Sequence, residues 1–156
     1  MKKVIKFLPL VAAVIGLLAV MSLFLPAFVY AGNEFLGSTT VFGYTKETAV
    51  GDFDLLSFSF MNLLTYLLVL VGIVCAVLAF LKKDQKLFAW GGAACLLLAG
   101  VFFFCVIPFT SVADQWQLVF LAKADKSLWE LGYGAILAGI SSILSAIVLV
   151  GSKLLK

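Results

Sequence analysis

The chain has 156 residues, of which 64% are hydrophobic and only 12% carry a charge. Soluble domains carry about 25% charged residues, and a fold of this size leaves roughly a third of its unfolded-chain surface exposed to solvent. Water could not accommodate that much apolar surface at a mean hydropathy of +1.20. The composition therefore excludes a soluble globular protein and predicts an all-α integral membrane protein.

The first apolar run extends over residues 7–31 and is interrupted only by two prolines and a serine. A helix needs about 20 apolar residues to cross the hydrocarbon core of a bilayer. With three lysines before it, the run also resembles a secretory signal peptide whose cleavage site would follow Ala31. Because its apolar part exceeds the usual length of about 7–15 residues, we expect an uncleaved first span.

The first loop, residues 32–54, differs in composition from the apolar runs on either side of it. Between Phe35 and Val50 it is rich in Thr, Val, Phe and Tyr and is broken by glycine, which is typical of a short β-hairpin. Lys46 and Glu47 are the expected turn. A four-span layout with strands in this loop is similar in outline to the claudin family. That family's tryptophan and paired cysteines are missing from this loop, so we assign no family.

Two further apolar runs, residues 55–81 and 87–107, follow one another closely. Only residues 82–86 separate them, so an antiparallel helical hairpin is expected. The ring of Pro108 removes a backbone donor and cannot continue a helix, which ends the second of these spans.

The second long loop, residues 108–130, precedes a fourth apolar run at residues 131–150. Within this loop, residues 116–121 suit a short helix lying at the membrane interface. The four runs together predict an antiparallel four-transmembrane-helix bundle.

Small residues recur in every span, and span four shows the clearest pattern. Lipid gives helices no hydrophobic reason to associate, so close backbone approach through small side chains has to hold them together. One face of span four repeats a small residue every four positions: Gly134, Ala138, Ser142 and Ala146. We expect this face to pack inside one bundle; the alternative is that it docks a second copy or another membrane protein.

The distribution of lysine predicts the orientation. The two termini and the 82–86 link contain eight lysines and one aspartate, a net charge of +7, whereas the two longer loops contain three lysines and seven acids, a net charge of −4. Because basic clusters stay on the cytoplasmic side, we expect a multi-pass protein of the cell membrane with both ends in the cytoplasm. Loops 32–54 and 108–130 would then be external.

The chain offers little for catalysis. It has no histidine, and its three cysteines lie in apolar runs without metal-ligand spacing. Ionisable groups inside membranes are rare and usually functional, and the four runs contain none. We therefore expect no enzyme, no cofactor and no nucleic-acid partner, only membrane lipids around the helices. Five polar residues could line a crevice or bond to helix carbonyls: Asn62, Thr65, Ser141, Ser142 and Ser145.

By elimination, we expect a non-catalytic membrane protein that acts by binding, as an accessory subunit, a scaffold or an immunity-type factor. Binding specificity concentrates on loops that a rigid scaffold presents, and the two long loops hold seven of the eight acids and two of the three tryptophans. The candidate partner contacts are Asp52, Asp54, Trp116 and Trp129. The alternative is a small oligomeric transporter or pore for a neutral or lipid-like solute.

Overall fold

The computed structural model describes residues 5–81 and 86–154, of which 68% are helical and 17% lie in strands. Much of the predicted cytoplasmic charge, on Lys2, Lys3, Lys82, Lys83, Asp84 and Lys156, lies outside the described residues. There are four long helices: α1 (Leu8–Met21), α3 (Phe60–Leu81), α4 (Lys86–Phe104) and α7 (Tyr133–Leu154). Three helices are short: α2 (Gly37–Phe42), α5 (Val106–Phe109) and α6 (Trp116–Phe120).

Three helices, α3, α4 and α7, are long and apolar enough to cross a membrane. Helix α1 has only 14 residues and continues into a 3₁₀ turn, Ser22–Phe24. The expected first span, residues 7–31, is therefore too long, because the chain turns into a strand at Pro26. The expected second span likewise starts too early: residues 51–57 form a strand, and α3 begins only at Phe60.

The long helices pack side by side, so that α1 and α4 each contact both α3 and α7. Their contact faces consist of small residues, which are buried as expected: Ala12, Gly16, Ala19, Gly72, Ala76, Ala79, Ala89, Ala93, Gly100, Ala138 and Ala146. The outward faces are also apolar, with leucines exposed at positions such as Leu17, Leu70, Leu97 and Leu144. Exposed apolar surface on this scale fits helices that are surrounded by lipid.

Two glycine pairs mark close approaches between helix backbones. A Cβ atom placed on Gly72 of α3 would lie 3.2 Å from the carbonyl oxygen of Gly92 on α4, and the reverse distance is also 3.2 Å. Gly100 of α4 and Gly139 of α7 face each other in the same way, at 3.1 and 3.2 Å. At both approaches, the residue is a glycine without a side chain, so the backbone of α4 can come close to that of its neighbour. Small residues bring membrane helices together in this way.

Strands in the two long loops amend the all-α expectation. The six strands are β1 (Pro26–Tyr30), β2 (Asn33–Leu36), β3 (Tyr44–Thr48), β4 (Gly51–Ser57), β5 (Ser111–Val112) and β6 (Glu130–Leu131). They form two three-stranded antiparallel sheets, in the orders β2-β1-β6 and β3-β4-β5. Each sheet takes two strands from the first loop region and one from the second, so the loops form a single unit. We name residues 26–57 and 109–131 the loop subdomain.

Strands β3 and β4 are joined by only two residues, Ala49 and Val50, because Thr48 pairs with Gly51. The Thr48 hydroxyl donates to the Gly51 carbonyl at 2.8 Å and accepts from the Val50 N–H at 3.3 Å. The expected turn at Lys46 and Glu47 is therefore wrong: both residues lie inside β3. Threonine stabilises the later turn by hydrogen bonding to its own backbone neighbours.

Candidate functional site

An aromatic core drawn from β1, β2, α6 and the segment before β6 holds the loop subdomain together. Its rings belong to Phe28, Tyr30, Phe35, Trp116, Phe120 and Trp129. The Phe28 ring is sandwiched between Trp129, at 4.3 Å between centroids, and Phe35, at 4.7 Å. Such pairs contribute about 0.5–1.5 kcal/mol each beyond their buried area. Because the rings come from both loops, each loop orders the other.

Trp116 and Trp129, the predicted aromatic contacts for a partner, lie inside this core. They are only 1% and 6% exposed, and neither indole N–H has an acceptor among the described residues. Removing two of the largest apolar side chains from water explains their position. The structure therefore places both side chains in the core of the loop subdomain and not on its surface.

An open groove with a volume of about 560 Å³ is lined by all three strands of the β3-β4-β5 sheet. Its walls also include residues 113–115, which follow β5. Asp54 and Asp114 both contribute to the lining, and no described lysine does. The lining adds exposed aromatic side chains: Phe42, Tyr44 and Phe58. The groove therefore combines negative charge with aromatic surface.

Hydrogen bonds between the two loops fix the walls of this groove. The backbone N–H of Asp54 donates to Oε1 of Gln115 at 2.6 Å, and the N–H of Ala113 donates to the carbonyl of Leu55 at 3.0 Å. The Thr45 hydroxyl donates to Oδ1 of Asp54 at 2.6 Å, which fixes that carboxylate. The segment that carries Asp114 is thus tied to β4, beside Asp54.

The two predicted acids on β4 have different surroundings. Asp54 lines the groove, whereas Asp52 lies beyond it, opposite Glu47 on β3. Both aspartates are exposed, as a partner contact requires. Sequence reasoning did not single out Asp114, Tyr44 or Gln115, because only the pairing of β4 with β5 brings residues 111–115 to this place.

Two of the three lysines in the loops are used within the subdomain. The ammonium of Lys46 lies 5.9 Å from the centroid of the Phe120 ring. Nζ of Lys126 donates to the carbonyls of Pro108, at 3.1 Å, and Thr110, at 2.6 Å, and loss of hydration lowers the pKa of this lysine. Asp125 accepts from the N–H and hydroxyl of Ser127, and these hydrogen bonds lower its pKa. The acids of the loops therefore remain in excess.

Exposed apolar residues lie in the turn between β3 and β4 and at the end of α6. Val50 is 89% and Leu121 is 91% exposed, and Leu121 has a φ of +52°, which is unusual for a bulky residue. A second open groove, of about 500 Å³, runs between Val50, Phe53 and Leu118. Exposed apolar surface of this kind often marks an interaction site.

The predicted face of α7 is buried inside the chain. Ala138, Ser142 and Ala146 are all buried, and a Cβ atom on Gly134 would lie 2.7 Å from the Pro26 carbonyl oxygen. In the structure, this face therefore packs against other elements of the same chain.

Of the two interpretations of the five polar residues, a crevice or bonds to helix carbonyls, most of them follow the second. Thr65 donates to Met61 and Ser141 to Ala138, whereas Ser145 donates across to Ala12 of α1 at 2.6 Å. Asn62 donates to the Thr40 carbonyl and the Thr110 hydroxyl. Of these five, only Ser142 has a hydroxyl without a partner among the described residues. Asn62 and Ser145 join different elements, whereas Thr65 and Ser141 bond within their own helices.

Reactive side chains are dispersed. Cys75, Cys95 and Cys105 are free thiols, and the described residues contain no group of three or more Cys, Asp or Glu that could hold a metal ion. What the loop subdomain offers chemically is charge, aromatic surface and hydrogen-bond acceptors. Groups of these kinds can bind a partner molecule.

No protein-family model matches this sequence, and no curated protein and no solved structure is significantly similar to it. The function therefore has to be argued from the geometry.

Proposed function

We propose that the chain is a multi-pass protein of the cell membrane with four transmembrane helices, both ends in the cytoplasm and the loop subdomain outside. Three helices meet the length for crossing. The fourth, α1 with its 3₁₀ turn, covers Leu8–Phe24 and reaches the lower end of the range of about 17–25 residues for spanning helices. Its contacts with α3 and α7 support a bundle of four, and the lysine distribution supports the orientation.

We further propose that the protein acts by binding another protein outside the membrane, as an accessory subunit, a scaffold or an immunity-type factor. The observation that carries this proposal is that the two long loops fold together on a shared aromatic core. Flexible connections between spans would not need such a core. A rigid base that presents an acidic groove and exposed apolar side chains is what recognition by loops requires.

The packing of the long helices does not favour the alternative of a pore within one chain. Their interior is filled by fully buried side chains, among them Ala12, Val69, Leu96 and Leu149. Glycine pairs bring the backbones of α3 and α4 and of α4 and α7 close together, which supports close packing of these helices.

Site-specific photo-crosslinking in the native membrane tests the binding proposal. Benzoylphenylalanine would replace Phe58 at the groove, Leu118 at the exposed apolar surface, and Leu97 on the outward face of α4 as the control. All three side chains are exposed. We expect a discrete protein adduct from a loop position and none from Leu97. Discrete adducts from Leu97 alone, or no adduct from either loop position, would refute binding through the loop subdomain.

A further inference from the structure

We propose that the groove of the β3-β4-β5 sheet binds an extended basic peptide segment of a partner protein, with an arginine or lysine side chain placed at Asp54 and Asp114. This inference rests on the proposed function and names the chemistry of the partner. The lining of the groove contains two carboxylates and no described lysine.

Both carboxylates in the groove have oxygen atoms that accept no hydrogen bond from the described residues. Only one oxygen of Asp54 is used, by the Thr45 hydroxyl, and within the described residues Asp114 has neither a hydrogen bond nor an ion pair. Lys46 and Lys126, which could neutralise these acids, lie against the Phe120 ring and the Pro108 and Thr110 carbonyls. A cationic ligand would supply the missing charge.

The lining of the groove suits the planar shape of a guanidinium. A guanidinium is planar and can donate to carboxylates through two parallel N–H groups, and it also stacks on aromatic rings. Tyr44 lines the groove and is held in place by its edge contact with Phe35, at 5.8 Å between centroids and 90° between planes. Carboxylates and an aromatic ring in one groove suit arginine better than a compact ammonium.

The lining of the groove also favours a peptide over a lipid headgroup as the ligand. Phe58 places the groove near the start of α3 at Phe60, so an amine-bearing lipid headgroup could also approach it. Such a headgroup carries a phosphate beside its ammonium, and the lining has no described basic side chain to receive that phosphate. One wall is β3, an edge strand of its sheet. Free backbone groups on an edge strand favour an extended peptide.

The test uses the full chain in nanodiscs made only of phosphatidylcholine, so that no lipid amine is present. The probe is a fluorescent heptapeptide with two arginines in a Gly/Ser background, and its matched control carries citrulline at both positions, which keeps the shape and removes the charge. We expect the arginine peptide to bind at least tenfold more tightly than the citrulline peptide. Equal binding of the two peptides would overturn the proposal.

Substitutions locate the binding site. The double variant D54N/D114N should remove the preference for arginine. The amide that replaces the Asp54 carboxylate still offers an oxygen to the Thr45 hydroxyl, so the melting temperature should stay within 2 °C of the parent. E130Q removes one charge from the other sheet, on an exposed strand, and should change the affinity less than twofold. An equal loss in E130Q would show general attraction by an acidic surface. Displacement of the peptide by phosphatidylethanolamine added to the nanodiscs would identify a lipid occupant. Either result refutes the peptide site.

The same double variant separates this inference from the proposed function. If the crosslinked protein adduct from Phe58 or Leu118 persists in D54N/D114N, the loop subdomain binds a partner without the two carboxylates, and only the basic-peptide inference fails. If no loop position gives an adduct in the parent protein, the proposed function itself fails.

Discussion

The contact between α3 and α4 can be tested with two neighbouring glycines that differ only in their surroundings. A Cβ atom on Gly92 would lie 2.7 Å from the Cβ of Cys75 and 3.2 Å from the carbonyl oxygen of Gly72. A Cβ atom on Gly91 would meet nothing within 4 Å. The variants Gly92→Ala and Gly91→Ala therefore add the same methyl group to the same helix, once into a backbone contact and once into open space.

The expected magnitude follows from two opposing effects. Alanine is favoured over glycine inside a helix by roughly 0.5–1 kcal/mol, and this gain is common to both variants. Gly92→Ala adds overpacking, which typically costs about 1–3 kcal/mol. A terminal carbon of Leu149, 3.1 Å away, can rotate aside, but the Cβ of Cys75 and the carbonyl oxygen of Gly72 cannot. To relieve these two contacts, α3 has to move away from α4. The difference in the free energy of unfolding between the two variants therefore gives the cost of overpacking.

Unfolding in mild detergent, followed by circular dichroism during titration with sodium dodecyl sulfate, measures this difference. We expect Gly92→Ala to be less stable than Gly91→Ala by about 1–3 kcal/mol, and Gly91→Ala to be at least as stable as the parent. If the two variants unfold together, α3 and α4 do not approach each other at Gly72 and Gly92, and the glycine-mediated packing is wrong.

Three further predictions concern orientation and the loop subdomain. In a background without the native cysteines, Lys123→Cys should react with an impermeant maleimide on intact cells and Lys86→Cys should not. Trp116→Ala should destabilise the loop subdomain by about 3–5 kcal/mol, the usual cost of truncating a buried aromatic residue, and should accelerate proteolysis of both loops. Because hydrogen bonds from Ser127 lower the pKa of Asp125 in the folded state, this group stabilises the fold above its ordinary pKa of 3.8, and the stabilisation is lost as the pH falls through the lowered value. Ser127→Ala should raise the pKa of Asp125, measured by NMR, and weaken that dependence.

Each of these predictions has an outcome that contradicts it. Labelling at position 86 but not at 123 would reverse the topology. Leu118→Ala, which truncates an exposed side chain, is the control for Trp116→Ala, and equal proteolysis of the two variants would remove Trp116 from the core. An unchanged pKa of Asp125 in Ser127→Ala would mean that the two side chains do not bond in solution.

The helix contacts could be predicted from the sequence because their cause is local. Small residues repeated along one face, such as Ala12, Gly16 and Ala19 on α1, have only one use in an apolar surrounding, which is close packing of backbones. Each of these three residues is buried in the structure. The pattern could not identify which helices meet, since every span carries such a face.

The outer ends of the helices could not be predicted in the same way. Strand β1 has the sequence Pro-Ala-Phe-Val-Tyr, and a continuous apolar run is equally consistent with a helix and with a buried strand. Its extended state depends on pairing with β2 and with β6, where Val29 lies opposite Glu130. Strand β2 follows β1 directly, but the partner residue on β6 lies in the other loop region, so a window around β1 contains only part of the signal.

The candidate site was only partly foreseeable for a related reason. Aromatic side chains contribute strongly to the stability of both protein cores and interfaces. The sequence therefore could not decide whether Trp116 contacts a partner or belongs to a core. The contacts of the Trp116 ring with the rings of Tyr30 and Phe35 decide it in favour of the core. Conversely, Asp54 was proposed on charge alone, and its place in a groove depends on Gln115 and Asp114, which the sequence separates from it by an entire helical hairpin.

The loop subdomain and the helices depend on each other through the chain itself. Strand β1 follows the 3₁₀ turn after α1, β4 leads into α3, β5 follows α4 and α5, and β6 leads into α7. Where β6 meets α7, the N–H of Gly132 donates to the Ala27 carbonyl at 2.8 Å, and a Cβ atom on this glycine would lie too close to the Pro26 carbonyl to fit. Each long helix is therefore connected to a strand at its end toward the loop subdomain, and each sheet needs strands from both loops. The β3-β4-β5 sheet is complete only when the hairpin of α3 and α4 brings β5 beside β4, so the acidic groove needs both loops and not one of them alone.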